Sequence, residues 1–181
     1  MARVAVLHNT LDFQGGADVV CLSACAALQR DHDLTLYTIS ETDPGTLAKR
    51  FDVDLDATAL DVRMQAGATL AARALSAASP AIGAQLAFRS VLLRSAFHRS
   101  TTQYGLVVST ANELTLPTPS VQYVHYPQFN THRLSEGGTV GERVWSRLAA
   151  PDRDALDSEL VTPLANSAWT ADVVERIYAV R

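Results

Sequence analysis

The first residues of the chain combine a short apolar run with a helical repeat of apolar positions. Residues 4–7 are all apolar and polar His8 follows them, a pattern typical of a buried parallel strand. Beyond Gly15 and Gly16, apolar residues recur at helical spacing over residues 19–28. The pattern predicts a strand, a glycine turn and a helix, which together open a doubly wound α/β domain.

The rest of the chain continues this alternation of strands and helices. Further strands are predicted at residues 34–39, 58–64, 106–109, 120–125 and 160–165. Helices are predicted at residues 46–50, 140–148 and 168–178, and a further helix is predicted to begin at Pro151. Residues 67–99 are predicted to form two helices, separated by a break near Ser79 and Pro80. We therefore predict an α/β fold with a doubly wound, mostly parallel sheet, in a single Rossmann-like domain over residues 1–181.

Polar side chains cluster where the predicted strands end. They are His8, Asn9, Ser109, Asn112, His125, Asn166 and Ser167. In open α/β sheets the ligand crevice lies at the carboxyl ends of the strands, so we expect a site at this edge.

Gly15 and Gly16 lie between the first predicted strand and its helix. Glycines there would let the backbone pass close to a ligand, and the start of the helix would offer free N–H groups to an anion. The alternative is that the two glycines only turn the chain onto the sheet. This alternative stays open because the sequence lacks the GxGxxG pattern typical of dinucleotide-binding loops.

Composition narrows the functional class. The chain has 181 residues, and 48% of them are hydrophobic, a fraction typical of a globular protein. Its net charge of −4 disfavours nucleic-acid binding.

Cys21 and Cys25 lie one helical turn apart and are interpreted as small buried hydrophobes. With neither a signal peptide nor a long apolar run in the sequence, we expect no transmembrane helix and a cytoplasmic location.

Charge is distributed unevenly along the chain. No acidic residue occurs between Asp61 and Glu113, a stretch that contains five arginines. Arg89, Arg94 and Arg99 accompany large apolar residues there, and a helix of this kind can lie on an anionic membrane surface. The alternative is an ordinary core-facing helix whose arginines are solvated or bind a phosphate.

Three stretches of the chain resemble one enzyme family. Residues 3–28, with the run Gly15, Gly16, Ala17 and Asp18, resemble the opening of family 4 glycosyltransferases of the GT-B fold, where the motif is usually Gly-Gly-Ala-Glu. Residues 121–127, VQYVHYP, are similar to the Tyr-Val-His-Tyr-Pro segment of the eukaryotic-type mannosyltransferases that extend dolichol-linked oligosaccharide. Residues 164–170, LANSAWT, resemble the Asn-Ser-x-Trp-Thr strand-to-helix segment of the same enzymes.

The resemblance implies the acceptor-side N-terminal half of a glycosyltransferase that acts on a lipid-linked or other glycan acceptor. In the family a second domain binds the nucleotide sugar, and no stretch of this sequence matches it. We therefore expect a second domain or partner chain to supply the donor site, and this chain alone to have no transferase activity. The nucleotide sugar is a substrate, so no cofactor is implied.

The resemblance also implies roles for individual residues. His125 matches a histidine that faces the cleft and can hydrogen-bond the transferred sugar, a positioning and electrostatic role. The alternative is that His125 is a histidine at the end of a strand whose hydrogen bonds are made with the backbone. Substrate contacts are implied for Gly15, Gly16, Ala17, Asp18, Asn112, Glu113 and Tyr126.

For some of these positions a structural role is an open alternative. Asn112 and Glu113 could bind acceptor hydroxyls or cap their loop, and Trp169 is interpreted as a packing anchor for the last helix. The histidines show no metal-ligand spacing, so no metal site is predicted.

Two other functions remain open from the sequence. One is a catalytically inert domain that docks a partner transferase at a membrane. The other is an unrelated nucleotide-binding Rossmann protein. A ribose site in such a protein needs an acidic residue at the end of the second strand, and none is present there. The nearest candidate is Glu41, so this function is disfavoured.

Overall fold

The computed structural model describes residues 1–64, 66–78, 81–127, 129, 140–151, 156 and 159–178. Its strands are β1 (Arg3–His8), β2 (Asp33–Thr38), β3 (Asp61–Arg63), β4 (Leu106–Ser109), β5 (Ser120–Val124) and β6 (Val161–Ala165). They form one six-stranded sheet in the order β3-β2-β1-β4-β5-β6, and every neighbouring pair is parallel. The predicted Rossmann-like, doubly wound α/β fold is confirmed.

Six helices connect or follow these strands in the described residues. They are α1 (Gly16–Leu28), α2 (Pro44–Arg50), α3 (Ala66–Ala78), α4 (Ile82–His98), α5 (Val140–Ala149) and α6 (Ala168–Tyr178), with a short 3-10 turn at Thr101–Gln103. The helix predicted to begin after Pro151 lies outside the described residues.

The third strand is shorter than predicted. The pattern indicated residues 58–64, but β3 has three residues. The Asp56 carboxylate accepts hydrogen bonds from both the backbone N–H and the hydroxyl of Thr58. This local turn holds the backbone at residue 58 away from the sheet.

Strand β1 is buried between helices on both faces of the sheet. Successive side chains of a strand point to opposite faces, so Val4 and Val6 pack in the cluster of α1 and α2. Ala5 and Leu7 pack in the cluster of α3 and α4 on the other face. The continuous apolar run of β1 is therefore explained by helices on both sides.

The two cysteines belong to the core beneath α1. Cys21 and Cys25 are free thiols with no exposed surface, and they pack in the same cluster as Leu22 and Val6. The prediction that they are small buried hydrophobes is confirmed.

Strand β6 forms one edge of the sheet, and its proline faces away from the neighbouring strand. The Leu160 carbonyl and the Asn166 N–H, both at even positions, bond to β5. Since backbone groups alternate in direction along a strand, Pro163 turns its backbone nitrogen outward. A proline at that position removes no hydrogen bond from the ladder.

The connection between β4 and β5 is held by one buried amide. Gln122 is fully buried, and its Nε2 donates to the Leu114 carbonyl while its Oε1 accepts from the Leu114 N–H, both at 2.8 Å. The side chain thus completes both backbone bonds of a buried residue in the loop that leads from the end of β4.

We predict that Gln122→Leu lowers the free energy of unfolding by about 3 kcal/mol, because two buried backbone groups lose their partners at about 1–3 kcal/mol each. Chemical denaturation followed by circular dichroism measures the change. Tyr123→Phe, at the neighbouring half-buried position, is the control and should change stability by less than about 0.5 kcal/mol. Equal effects of the two variants would contradict this account of the loop.

Candidate functional site

A cleft lies at the carboxyl ends of β1, β4 and β5. The chain winds outward from β1 to β3 and then returns to place β4 on the other side of β1. Ligand crevices in open α/β sheets lie at such a switch point. The cleft has a volume of about 300 Å³ and is lined by residues 8–10, Phe13, residues 15–18, Leu86, residues 110–112, His125 and Tyr126.

The start of α1 is open toward this cleft. Gly15 precedes the helix with φ −114° and ψ −171°, an extended conformation open to any residue. A Cβ at Gly15 or Gly16 would meet no atom within 4 Å. Neither backbone strain nor crowding by protein atoms therefore requires a glycine at these positions. Because the two residues have no side chain, the space above the start of α1 is free.

Two backbone donors remain available there. The Gly15 carbonyl accepts the N–H groups of Asp18 and Val19. The N–H groups of Gly16 and Ala17 have no hydrogen-bond partner among the described residues, as is usual for the first turn of a helix. They can therefore donate to an anion in the cleft.

A buried ion pair closes the inner wall of the cleft. His8 lies on the same face of β1 as Val6, toward α1, and its Nε2 is 2.8 Å from Asp18 Oδ1. Both side chains are about 4% exposed. The second oxygen, Oδ2, accepts the Gly15 N–H at 2.9 Å, so the Asp18 carboxylate joins β1, the loop and α1.

His8 carries a proton at neutral pH. Burial acts to lower its pKa, but the hydrogen bond to the Asp18 carboxylate and the charge of that carboxylate raise the pKa. The neighbouring Cys21 thiol stays neutral, because its contact with Cys25 and its burial raise its own pKa. Its Nδ1 lies 3.0 Å from Thr110 Oγ1, a hydroxyl that can itself donate to the Leu7 carbonyl. The charged pair is neutral as a whole, so Asp18 does not repel an anion at the start of α1.

His125 lies on the same face of the sheet as His8. The register pairs Val6 with Val108 and Val108 with Val121, and His125 follows Val121 at an even spacing. Burial lowers the pKa of His125, the charge of His8 lowers it further, and Asp18 acts in the opposite direction.

The His125 side chain lines the cleft. Its Nε2 is closed to solvent and has no hydrogen-bond partner among the described residues, so the backbone bond expected in the alternative is absent at this nitrogen. The main-chain N–H of His125 donates to Asn112 Oδ1, and its carbonyl lies 3.5 Å from the Thr170 hydroxyl. An imidazole ring in the wall of a cleft can hydrogen-bond a hydroxyl group of a ligand.

Asn112 positions the end of β5. It has a left-handed backbone, φ 62°, which asparagine tolerates better than most residues. Its Oδ1 accepts the N–H groups of His125 at 2.8 Å and Tyr126 at 3.2 Å. Asn112 lines the cleft, but its amide oxygen holds the loop, which favours the capping alternative.

Glu113 does not line the cleft, and the predicted contact with acceptor hydroxyls is wrong. The residue is fully buried. Its Oε1 accepts the Phe129 N–H at 3.1 Å and the Tyr178 hydroxyl at 3.0 Å. The carboxylate therefore serves the packing of α6 and not a ligand.

The prediction that Arg89 lies on a basic, membrane-facing surface together with Arg94 and Arg99 is also wrong, because Arg89 is buried. The residue is 6% exposed, because its guanidinium turns inward to Asp12, with Nη2 3.3 Å from Oδ2. Burial lowers the pKa of Arg89, and Asp12 opposes this change. Of the other two predicted arginines, Arg99 is exposed and Arg94 is half-buried.

Asp12 fixes the loop between β1 and α1. Burial acts to raise its pKa, but hydrogen bonds, foremost those from Ser40 and Thr10, outweigh burial and lower the pKa. Asp12 Oδ1 also accepts the N–H groups of Glu41 and Thr42. The loop is thereby tied to the segment after β2 and, through Arg89, to α4.

Phe13, in the same loop, forms part of the cleft wall. It is 43% exposed, and the Arg89 guanidinium lies 5.7 Å from its ring centroid. The buried cation thus supports an aromatic ring that faces the cleft.

Tyr126 stacks on Trp169 at the rim of the cleft. Their ring centroids are 5.6 Å apart with an interplanar angle of 14°. Trp169 is 57% exposed, so its interpretation as a packing anchor for the last helix is wrong. The apolar contacts of α6 with the sheet come instead from Val173, Val174 and Ile177.

The chain was compared with protein-family models, curated proteins and solved structures. None of the three comparisons gives a significant match. The resemblance to glycosyltransferases therefore remains a hypothesis. Within the described residues, no group of three or more His, Cys, Asp or Glu side chains could hold a metal ion.

The cleft lies at the sheet edge where the sequence predicted a site, but several residues around it were not predicted. The pairing of His8 with Asp18 could have been found from strand alternation, which turns position 8 toward the following helix. Phe13 and Thr110 carry no sequence signal, because a lone loop aromatic and a lone threonine are common on protein surfaces.

We predict that the stabilising effect of His8 depends on pH. A histidine whose pKa is raised above 6.5 in the folded protein contributes stability that is complete below about pH 6.5 and is lost as the pH rises through the folded-state pKa. His8→Gln should therefore lower the free energy of unfolding by about 3 kcal/mol at pH 6, since it leaves a buried carboxylate unpaired. The deficit relative to the wild type should shrink steadily up to pH 10.

Urea denaturation at several pH values between 6 and 10 measures this difference. His98→Gln is the matched control, because His98 is exposed and its replacement should have little effect at any pH. A deficit for His8→Gln that stays constant from pH 6 to pH 10 would show that His8 is neutral in the folded protein.

Proposed function

We propose that this chain is the acceptor-side domain of a glycosyltransferase that moves a sugar from a nucleotide-sugar donor to a lipid-linked or other glycan acceptor. The observation that carries the proposal is the meeting of the three family-like stretches at one cleft. Gly15 and Gly16 line it together with His125 and Tyr126, although more than 100 residues separate the two pairs.

The third stretch meets the second at the same edge. Trp169 stacks on Tyr126, and the Thr170 hydroxyl lies 3.5 Å from the His125 carbonyl. The parallel sheet brings the carboxyl ends of β1, β5 and β6 to one edge, and the three family-like stretches lie at these ends. The proposal is supported by their position at a cleft on this edge and by the chemistry of the residues that line the cleft.

The chemistry of the cleft suits a sugar linked to a diphosphate. The open start of α1 favours a negative charge, and the pairing of Asp18 with His8 leaves that charge unopposed. The imidazole ring of His125, which lines the cleft, can hydrogen-bond a sugar hydroxyl. In this proposal His125 positions the sugar, and a second domain or partner chain contributes the nucleotide-sugar site.

We predict that the folded chain binds inorganic pyrophosphate, and binds chitobiose linked to a short isoprenyl diphosphate at least tenfold more tightly. Gly15→Ala combined with Gly16→Ala should weaken both by at least tenfold, because the new methyl groups fill the space above the free N–H groups. Isothermal titration calorimetry measures the affinities.

The melting temperature should stay the same or rise, since neither glycine relieves a clash or a strained conformation. Gly67→Ala is the matched control, because Gly67 is a helical glycine with the same free space around it, on α3 and outside the cleft. Tighter binding of a nucleoside diphosphate than of the isoprenyl-linked probe would favour a nucleotide-binding protein and refute the proposal.

We also propose that the domain works at an anionic membrane surface, through a face that differs from the predicted one. Helix α5 exposes Val144 and Leu148 beside Arg143 and Arg147. Arg94 Nη2 donates to the Leu148 carbonyl at 3.2 Å, so α5 lies beside the C-terminal part of α4. Mixed basic and apolar surfaces of this kind suit the interface of a bilayer.

Membrane association here would be peripheral. Among the helices of the described residues, none is both long enough and apolar enough to cross a bilayer. Each exposed arginine near an anionic surface contributes about 1 kcal/mol, so a few of them with two apolar side chains give weak, reversible binding.

We predict that the chain cosediments with phosphatidylserine-containing liposomes at low salt and is released at high salt, because salt screens exposed charges. Replacement of Arg99, Arg143 and Arg147 by Gln should abolish cosedimentation and leave the circular dichroism spectrum unchanged. The control replaces Arg30, Arg63 and Arg176, which are equally exposed elsewhere, and should retain binding. Loss of binding in both triple variants would mean that net charge alone matters and that this face has no special role.

A further inference from the structure

The stacked pair of Tyr126 and Trp169 forms an exposed aromatic surface beside the cleft. The two side chains are 44% and 57% exposed, and Tyr126 also lines the cleft. Stacking uses one face of each ring, and about half of each side chain is still exposed to solvent. Large aromatic side chains are seldom left this exposed in adjacent positions, and such patches often mark binding sites.

We propose that this aromatic pair is a subsite that binds a neutral pyranose ring of the acceptor by stacking on its apolar face. The inference rests on the proposed function, because it assigns the acceptor sugar to one wall of the same cleft. It goes beyond that function by naming the surface and the class of ligand.

The aromatic pair is held in place from both sides. The Tyr126 N–H donates to Asn112 Oδ1, which fixes the backbone after β5. Next to Trp169, the Thr170 N–H donates to Ser167 Oγ, and the Thr170 hydroxyl donates to Asn166 Oδ1 at 2.7 Å. These bonds fix the first turn of α6, so the two rings are positioned before a ligand arrives.

The surroundings of the pair favour an uncharged ligand. Residues 121–127 and 161–171 contain no Asp, Glu, Lys or Arg. The one histidine among them, His125, lines the cleft and has a lowered pKa, with burial as the largest cause. Within these two segments a phosphate or an ammonium group finds no opposite charge, and a sugar needs none. The first acidic residue after Trp169 is Asp172, one helical turn along α6.

A sugar ring also matches the mixture of groups that is present. An aromatic face covers the C–H side of a pyranose, and nearby polar atoms are needed for its hydroxyl groups. The imidazole ring of His125 is such a polar group in the lining of the same cleft. The anion site at α1 and this wall would thus bind the two ends of a diphosphate-linked sugar.

The test uses the fluorescence of Trp169 in the full chain. The protein has two tryptophans, so Trp145→Phe leaves Trp169 as the single reporter. We expect N,N′-diacetylchitobiose or mannobiose to change its emission in a saturable way. Tyr126→Ala should weaken binding of the same disaccharide by at least tenfold.

Ligand-observed NMR titrations extend the test to variants that lack the reporter. Trp169→Ala should lose disaccharide binding at least tenfold, and Trp169→Phe should keep most of it. Leu164→Ala is the matched control, because it removes an equally exposed apolar side chain from neighbouring β6 and should leave binding unchanged. Circular dichroism verifies that each variant is folded.

The outcomes separate this inference from the proposed function. Absence of saturable binding by either disaccharide, or equal binding by Trp169→Ala, would overturn the sugar subsite even if pyrophosphate still binds at α1. A preference for free uridine or guanosine over the disaccharides would overturn it as well. Loss of disaccharide binding in Trp169→Ala with unchanged pyrophosphate affinity would support it.

Discussion

The ion pair between His8 and Asp18 joins the end of β1 to the first turn of α1 in a region closed to solvent. A buried carboxylate without a partner is costly, so the geometry of this corner depends on both side chains being present. The same carboxylate receives the Gly15 N–H, which sets the conformation of the chain as it enters the helix. The neutral character of this inner wall follows from the pair, and the charge of His8 adds to the burial that lowers the pKa of His125.

Most polar side chains around the cleft are used to hold its walls. Asp12 ties three segments together, Asn112 holds the end of β5, and Glu113 holds α6. Among the described residues of the cleft, a small set is left for a ligand: two backbone N–H groups at α1, the ring of His125 and a pair of exposed aromatic rings. A rigid frame with few unpaired groups is the arrangement expected of a preorganised binding site.

The strand and helix pattern of the sequence was sufficient for the fold. The apolar run of β1 and the alternation that follows it predict a parallel sheet, because such runs are buried only when helices cover both faces. The location of the cleft was also predictable, since polar residues follow the strands that meet at the switch point. The one clear error in the elements, the length of β3, arose because an Asp56 turn competes with strand pairing.

The roles of individual charged residues were harder to predict. Arg89 resembles the other arginines of its helix in sequence, and only its pairing with Asp12, 77 positions away, shows that it is buried. Glu113 likewise depends on Tyr178 in the last helix. Periodicity describes which face of an element is apolar, but it does not identify the distant partner that allows a charge to be buried.

The outward-facing Pro163 has a consequence for how copies of this domain meet in solution. An edge strand normally presents a row of N–H donors on which another chain can add a strand. In β6 that row is interrupted at its middle residue, and at the opposite edge β3 is three residues long. Both edges of the described sheet therefore disfavour the addition of a further strand from another copy of the domain.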